Sequence, residues 1–317
     1  MARKKNRKGD PVHGWLNFNK PVEMTSTQAV GLVKRLFNAQ KAGHGGTLDP
    51  LADGVLPIAF GEATKTSAYA MDADKDYTFT IAWGSSTTTQ DREGDVVAQS
   101  DARANMEEIS AALETFVGDI EQVPPKFSAI KVNGERAYDL ARDGEEVELQ
   151  SRQVTLYEAR LDEASTRDKA IIHVTCGKGF YIRSLVRDLA AKLDLEGHVS
   201  ALKRTRVGNF EISEGNSPEL LEAVSDLETR RRLLVPIEAA LDDIPAIEIS
   251  SEGEMKLRNG NEFRLLPHEM SKFQTLRAEL QGEDSDDRVA LAMADGTALA
   301  LGEIRAGFFK PFRVFQI

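Results

Sequence analysis

The chain carries the stretch Gly43-His-Gly-Gly-Thr-Leu-Asp-Pro-Leu-Ala-Asp-Gly-Val-Leu-Pro-Ile-Ala-Phe-Gly-Glu-Ala-Thr-Lys65. Glycines at 43, 45 and 46 free the backbone for unusual dihedrals and let a ligand approach closely. Asp49 precedes Pro50, whose ring disfavours helical backbone at the aspartate, so the carboxylate is presented from an extended loop. Val55, Leu56, Ile58 and Phe60 supply apolar support behind it. A carboxylate on a loop braced by a core suits a nucleophile. The same letters also read as an ordinary turn, and residue types alone leave both readings open. Residues 38–65 as a whole read as irregular.

Outward from this stretch, the N-terminal side reads as a short strand at 14–18. A helix capped by Ser26 or Thr25 then runs to about Phe37, with Val30, Val33 and Phe37 on one face. On the other side, 77–83 alternates apolar and polar residues and reads as a strand. Residues 104–116 read as an amphipathic helix, 123–136 as an extended loop, and 153–161 and 170–176 as strands. Leu185, Val186, Leu189 and Leu193 stand at helical spacing across 182–193. Strands and helices mix without regular βαβ alternation, which predicts an α+β fold on a mixed, largely antiparallel sheet. After about residue 245, short strand-like pieces dominate at 246–250, 288–294, 297–304 and 312–317, around an acidic loop at 282–287. The reading is a basic tail at 1–10, a main domain at 11–245 and a small β domain at 246–317.

No apolar run approaches the ~18–20 residues that span a bilayer. The charged start, Met1-Ala-Arg-Lys-Lys-Asn-Arg-Lys8, has no apolar core after it, which argues against a secretory signal. Cys176 is the one cysteine, so an internal disulfide and a thiolate zinc cluster are both excluded. A reducing cytoplasm is the expected location. The net charge of −11 speaks against a nucleic-acid partner until its distribution is read. Residues 1–65 hold ten basic against five acidic side chains, and 170–210 hold seven against three. Phosphate binding follows local potential, not the total. The tail, Lys34, Arg35, Lys41, Lys178, Lys203, Arg204 and Arg206 are candidate phosphate contacts, each of which is equally an ordinary solvated cation.

The Gly43–Lys65 block resembles the active-site motif of the TruB-type tRNA pseudouridine-55 synthases. It matches their Gly-His-x-Gly-Thr-Leu-Asp-Pro-x-Ala-x-Gly-Val-Leu pattern and the following Gly-x-Ala-Thr-Lys. Other blocks resemble the family in order and spacing: Asn19-Lys-Pro-Val-Glu-Met-Thr-Ser26, Lys75-Asp-Tyr77, the long run from Pro124 to Arg142, Gly177-Lys-Gly-Phe-Tyr-Ile-Arg183 with its continuation, and Ala201-Leu-Lys-Arg-Thr-Arg206. The resemblance covers residues 12–210 strongly. It covers the C-terminal segment weakly, as a small PUA-like RNA-binding domain. Departures are Glu23 where glycine is usual, Gly45 where threonine is frequent, Phe127 where tyrosine is frequent and Lys203 where arginine is frequent.

The resemblance implies isomerisation of one uridine in the T-arm loop of tRNA, with no cofactor and no metal. It implies a monomer that needs no membrane and no obligate protein partner. Asp49 is the implied nucleophile. Arg183 is its implied partner, because a nearby guanidinium favours an ionised carboxylate. Tyr77 would stack on the uracil and accept or relay a proton, against the plain reading of a core aromatic. His44 would support the flipped-out loop by stacking, and Tyr181 and Leu202 would line the uracil pocket. Lys20 would touch phosphate or hold the active-site loop. Three other readings compete. A non-catalytic RNA-binding or folding module would not need Asp49, Tyr77 and Arg183 together. A guide-RNA-dependent synthase shares the motif. An aspartate hydrolase built on Asp295-Gly-Thr297 lacks a second upstream aspartate.

Overall fold

The computed structural model describes residues 9–128, 131–132, 135–136, 149–281 and 287–317. Residues 1–8 of the basic tail read at 1–10, most of the block up to Arg142, and residues 282–286 of the acidic loop lie outside the described residues.

Two sheets organise the chain. The first has nine strands: β1 (Gly14–Lys20), β2 (Ala42–His44), β3 (Asp53–Phe60), β4 (Lys75–Trp83), β7 (Gly118–Gln122), β10 (Arg152–Leu161), β11 (Lys169–Cys176), β12 (Gly197–Val207) and β13 (Phe210–Glu211). Between them come the hairpin β5 (Ser85–Thr87) and β6 (Val96–Gln99) and the short pair β8 (Lys131–Val132) and β9 (Glu135–Arg136). The path runs β1-β3-β12-β4-β11-β10-β7, with β2 added on β3 and β13 on β12. Among the described residues every strand pairing of this sheet is antiparallel except β3–β12, which aligns Asp53 with Lys203 and Gly54 with Arg204. The short α2 (Ser67–Asp72) precedes β4, and helices α1 (Ser26–Leu36), α3 (Met106–Glu114) and α4 (Ile182–Lys192) pack on one face of the sheet. Their apolar sides meet Leu16, Phe18, Leu56, Ile58, Phe79 and Ile172 in the main core.

The segment read as irregular at 38–65 instead contains β2, β3 and a helical turn at Gly61–Thr66. β3 shows no alternation because both of its faces are buried. Leu56, Ile58 and Phe60 enter the main core, while Val55 and Ala59 enter a second one. Pro57 further masks the strand, since proline is rare inside sheets. The eleven-residue β12, which fixes the middle of the sheet, was not anticipated either.

The second sheet runs β14 (Ala246–Glu248), β16 (Val289–Ala294), β17 (Thr297–Arg305), β18 (Phe308–Val314), β15 (Phe263–Arg264). The expected small, strand-dominated unit is present, and two helices join its strands, α7 (Ser251–Arg258) and α8 (Pro267–Gln281). The buried Glu269 of α8 accepts the amides of Ser250 at 2.7 Å and Leu266 at 2.6 Å, so one carboxylate satisfies donors at the starts of both helices. The small unit is not free-standing. Trp15, Val55, Ala59 and Ala63 share one core with Leu291, Met293, Leu301 and Phe315. A linking segment with α5 (Pro218–Ala223) and α6 (Leu227–Arg231) returns along β1, where Trp15 and Val235 exchange both backbone hydrogen bonds at 2.8 Å.

Candidate active site

The loop that carries Asp49 is strapped from below at several points. Thr25 caps α1 in a reciprocal capping box with Gln28. This fixes Ser26, the first helical residue, with its hydroxyl against Leu48. The Ser26 Oγ donates to the Leu48 carbonyl at 3.0 Å and accepts the Leu48 amide at 2.9 Å. The Glu23 amide donates to the Pro50 carbonyl at 2.7 Å. Lys20 turns inward and is fully buried, donating to the carbonyls of Met24 at 2.6 Å, Pro21 at 2.9 Å and, at 3.5 Å, Pro50. Its ammonium therefore braces the loop and does not reach a phosphate. Burial pulls its pKa down to about 8, against the opposing pull of Asp53 and Asp49.

Arg204 supplies the remaining strap. The phosphate-contact reading is wrong for it: the side chain is buried, and its Nε donates to the Val55 carbonyl at 2.8 Å. Its other nitrogens reach the carbonyls of Gly46 at 3.2 Å and Thr47 at 3.4 Å. Five donors on a planar fork suit an arginine to this task. Gly54 must be glycine beside it, because its φ is +106° and a Cβ would fall 2.2 Å from the Arg204 carbonyl oxygen. Three other cations are paired with carboxylates: Lys203 with Asp53 at 2.6 Å, Arg206 with Asp76 at 2.7 Å and, at 3.3 Å, Lys178 with Asp72.

Above these straps the Asp49 side chain is about one-third exposed. Its Oδ2 lies 2.9 Å from the Nη2 of Arg183, the second residue of α4. The start of α4 is held by Gln122, whose side chain accepts the Tyr181 amide at 2.8 Å and donates to the Tyr181 carbonyl at 3.1 Å. Arg183 is nearly buried and is aimed by the carbonyls of Phe127 at 2.9 Å and Thr89 at 3.3 Å. On its far side stands Asp91, also buried, 3.7 Å away. Asp91 is fixed by the Thr89 hydroxyl at 2.5 Å and the Glu93 amide at 3.0 Å. The sequence reading missed Asp91, Ser26 and the role of Arg204. Asp91 falls in a short polar run between β5 and β6 that carries no periodic signal.

Of the remaining expected residues, Tyr77 and Tyr181 feel the charge of Asp49 directly. Tyr77 is nearly buried, the third residue of β4, in register with Arg204 of β12. Burial raises its phenol pKa, the Arg204 guanidinium opposes that, and Asp49 adds to the rise, so the hydroxyl keeps its proton at neutral pH. Tyr181 stands at the position just before α4, and burial with the Asp49 charge likewise raises its pKa. Leu202 is buried in β12 and shares the core with Tyr77 and Leu48. His44 ends β2 opposite Ile58, half-buried, where the chain turns into the loop. Glu93 stands near the same centre, its carboxyl pushed up by burial and by the charges of Asp91 and Asp49.

A profile described as the N-terminal domain of the TruB family pseudouridylate synthases matches residues 34–182. A second, described as the tRNA pseudouridylate synthase B C-terminal domain, matches 183–242. Their junction falls between Ile182 and Arg183, inside the first sheet's helix. The tRNA pseudouridine synthase B of Caulobacter vibrioides is 51% identical over 317 residues, covering all of both chains. The chain belongs to the TruB family of pseudouridylate synthases. The synthase is also 46% identical over 315 residues to the tRNA pseudouridine synthase B of Ruegeria pomeroyi, covering 99% of each. Among solved structures it resembles a chain of the Cbf5-Nop10-Gar1 complex, with a TM-score of 0.70 at 22% identity, covering 99% of this chain and 92% of that one. At that identity the likeness concerns the fold. The synthase is thus an enzyme that isomerises uridine to pseudouridine.

Proposed function

We propose that the synthase acts on tRNA, at uridine 55 of the T-arm loop, as a single chain. We also take residues 11–245 as the catalytic unit and 246–317 as a PUA-like unit that contacts the RNA. The curated relatives, matched end to end, are named for tRNA, and the motif blocks are those of the position-55 enzymes. The observation that carries the reading is the Asp49–Arg183 pair at 2.9 Å, raised on a loop strapped from four directions.

The isomerisation breaks the bond from ribose C1′ to N1 of uracil, turns the base and joins C1′ to C5. The C5 proton leaves and N1 gains one, so no electrons or groups are exchanged with a second reactant. Asp49 is the nucleophile that holds the separated fragment. Arg183 keeps one carboxylate oxygen engaged, leaving the other to face the substrate. The uridine must leave its stack, at a cost of a few kcal/mol. Stacking on Tyr77 recovers about 1–3 kcal/mol, while Tyr181 and Leu202 wall the pocket and His44 supports the extruded loop. Tyr77 acts as a neutral hydroxyl, which suits stacking and proton relay better than a standing base. Lys20 acts from below, on the loop.

The test uses a tRNA transcript labelled with tritium at uridine C5. The wild type releases tritium to water and Asp49→Asn releases none while still binding the RNA. Release by both would assign the chemistry to another carboxylate. Binding without release by either would leave an RNA-binding module.

A further inference from the structure

The turn Gly61–Thr66 leaves β3 directly after the catalytic loop and ends the Gly-x-Ala-Thr-Lys block. Its two charged side chains do not reach open solvent freely. Lys65 donates to Glu62 at 2.5 Å and to the carbonyl of Val314 at 2.7 Å. The same oxygen of Glu62 accepts the backbone amide of Gln316 at 2.8 Å. The backbone amide of Glu62 donates to Nδ1 of His13 at 3.0 Å, which ties the turn back to the start of β1. One ion pair thus grips the carbonyl of Val314, which ends β18, and the amide of Gln316 just beyond it. Because both gripped groups are backbone, the grip holds the strand's position whatever its side chains. Burial disfavours the Glu62 carboxylate, yet Lys65 and the Gln316 amide together hold its pKa below the ordinary value. The pair sits at the rim of the core that Val55 and Ala63 share with Leu301 and Phe315.

We infer that Glu62 and Lys65 are positioning residues that set the orientation of the C-terminal unit relative to Asp49. They govern capture of the full RNA and leave the chemical step alone. The inference rests on the reading that the C-terminal unit contacts the RNA. Lys65 stands among the basic residues of the N-terminal segment and looks like a phosphate contact. In the fold its ammonium already serves a carboxylate and a carbonyl.

The test compares wild type, Lys65→Met and Lys65→Arg in the full chain. Hydrogen exchange is followed across residues 308–317, and kcat and KM are measured with full-length tRNA and with an isolated T-arm stem-loop. Losing a charge-assisted hydrogen bond predicts about tenfold faster exchange and about tenfold higher KM for full-length tRNA in Lys65→Met. Its kcat and its stem-loop kinetics stay within about twofold, and Lys65→Arg restores both readouts. Raised KM with unchanged exchange would make Lys65 a direct phosphate contact and overturn the inference. So would faster exchange with unchanged KM, or a kcat that falls equally on both RNAs. A wild type inactive on both RNAs would defeat the functional reading, while the exchange data would still report on the clamp. Glu62→Gln, which weakens the pairing without removing the side chain, moves the same readouts in the same direction.

Discussion

Glu23 holds a φ of +67° while its amide supports Pro50, at a position where its family usually has glycine. The left-handed region costs a side chain about 1–3 kcal/mol, while glycine adds about 0.4–1 kcal/mol of unfolded-state entropy. Since Glu23 is exposed and its contribution to the loop is its backbone, Glu23→Gly gains up to about 1 kcal/mol of stability. Urea unfolding should show a higher midpoint with kcat unchanged; a lower midpoint would mean that the strain is negligible. Residue by residue, the site was partly legible. The block around Asp49 and the Tyr-Ile-Arg run named two side chains that the fold brings to 2.9 Å. Arg204 and Asp91 could not be read in this way. A cation beside a loop and an aspartate in a polar run acquire their roles only from carbonyls and guanidinium groups distant in sequence.

Among the elements, α1 shows how a helix start can serve a site it does not contain. Its capping box leaves Ser26 free to answer both backbone groups of Leu48, the residue before Asp49. Ser26→Ala strands a buried amide and carbonyl at a cost of about 1–3 kcal/mol. Because a small misplacement of a reacting group can cost on the order of a hundredfold in rate, kcat should fall by about tenfold or more. Single-turnover kinetics below the melting temperature test this, and an unchanged kcat would show that the other straps suffice. The elements that sequence patterning located best have one buried and one wet face, as in β4, β11 and α4. β3 escaped because burial on both sides erases alternation. α7 and α8 escaped for the opposite reason: α7 buries only Gly253 and Leu257, too few for a stripe.

Across the whole molecule, the shared core makes two sheets one thermodynamic object. Trp15 and Val55 from the first sheet, Leu291 from the second and Phe315 just after it exclude water from the same volume. Removing the C-terminal unit would expose that apolar surface, whose burial is worth roughly 25 cal/mol per Å². Thermal unfolding should therefore show one transition for both units, followed together by Trp15 fluorescence in a Trp83→Phe background and by exchange in β17. Two separated transitions would show that the contact is weak.

The parallel pairing of β3 with β12 also has a consequence in time. The arginine that straps Val55 lies 149 positions further along the chain. At about 5–20 residues per second, synthesis reaches it roughly seven to thirty seconds after Val55 has been made. Through that interval the loop that carries Asp49 lacks the buried guanidinium of Arg204 beneath it. The straps under the Asp49 loop are therefore complete only once β12, the middle strand of the sheet, has been made.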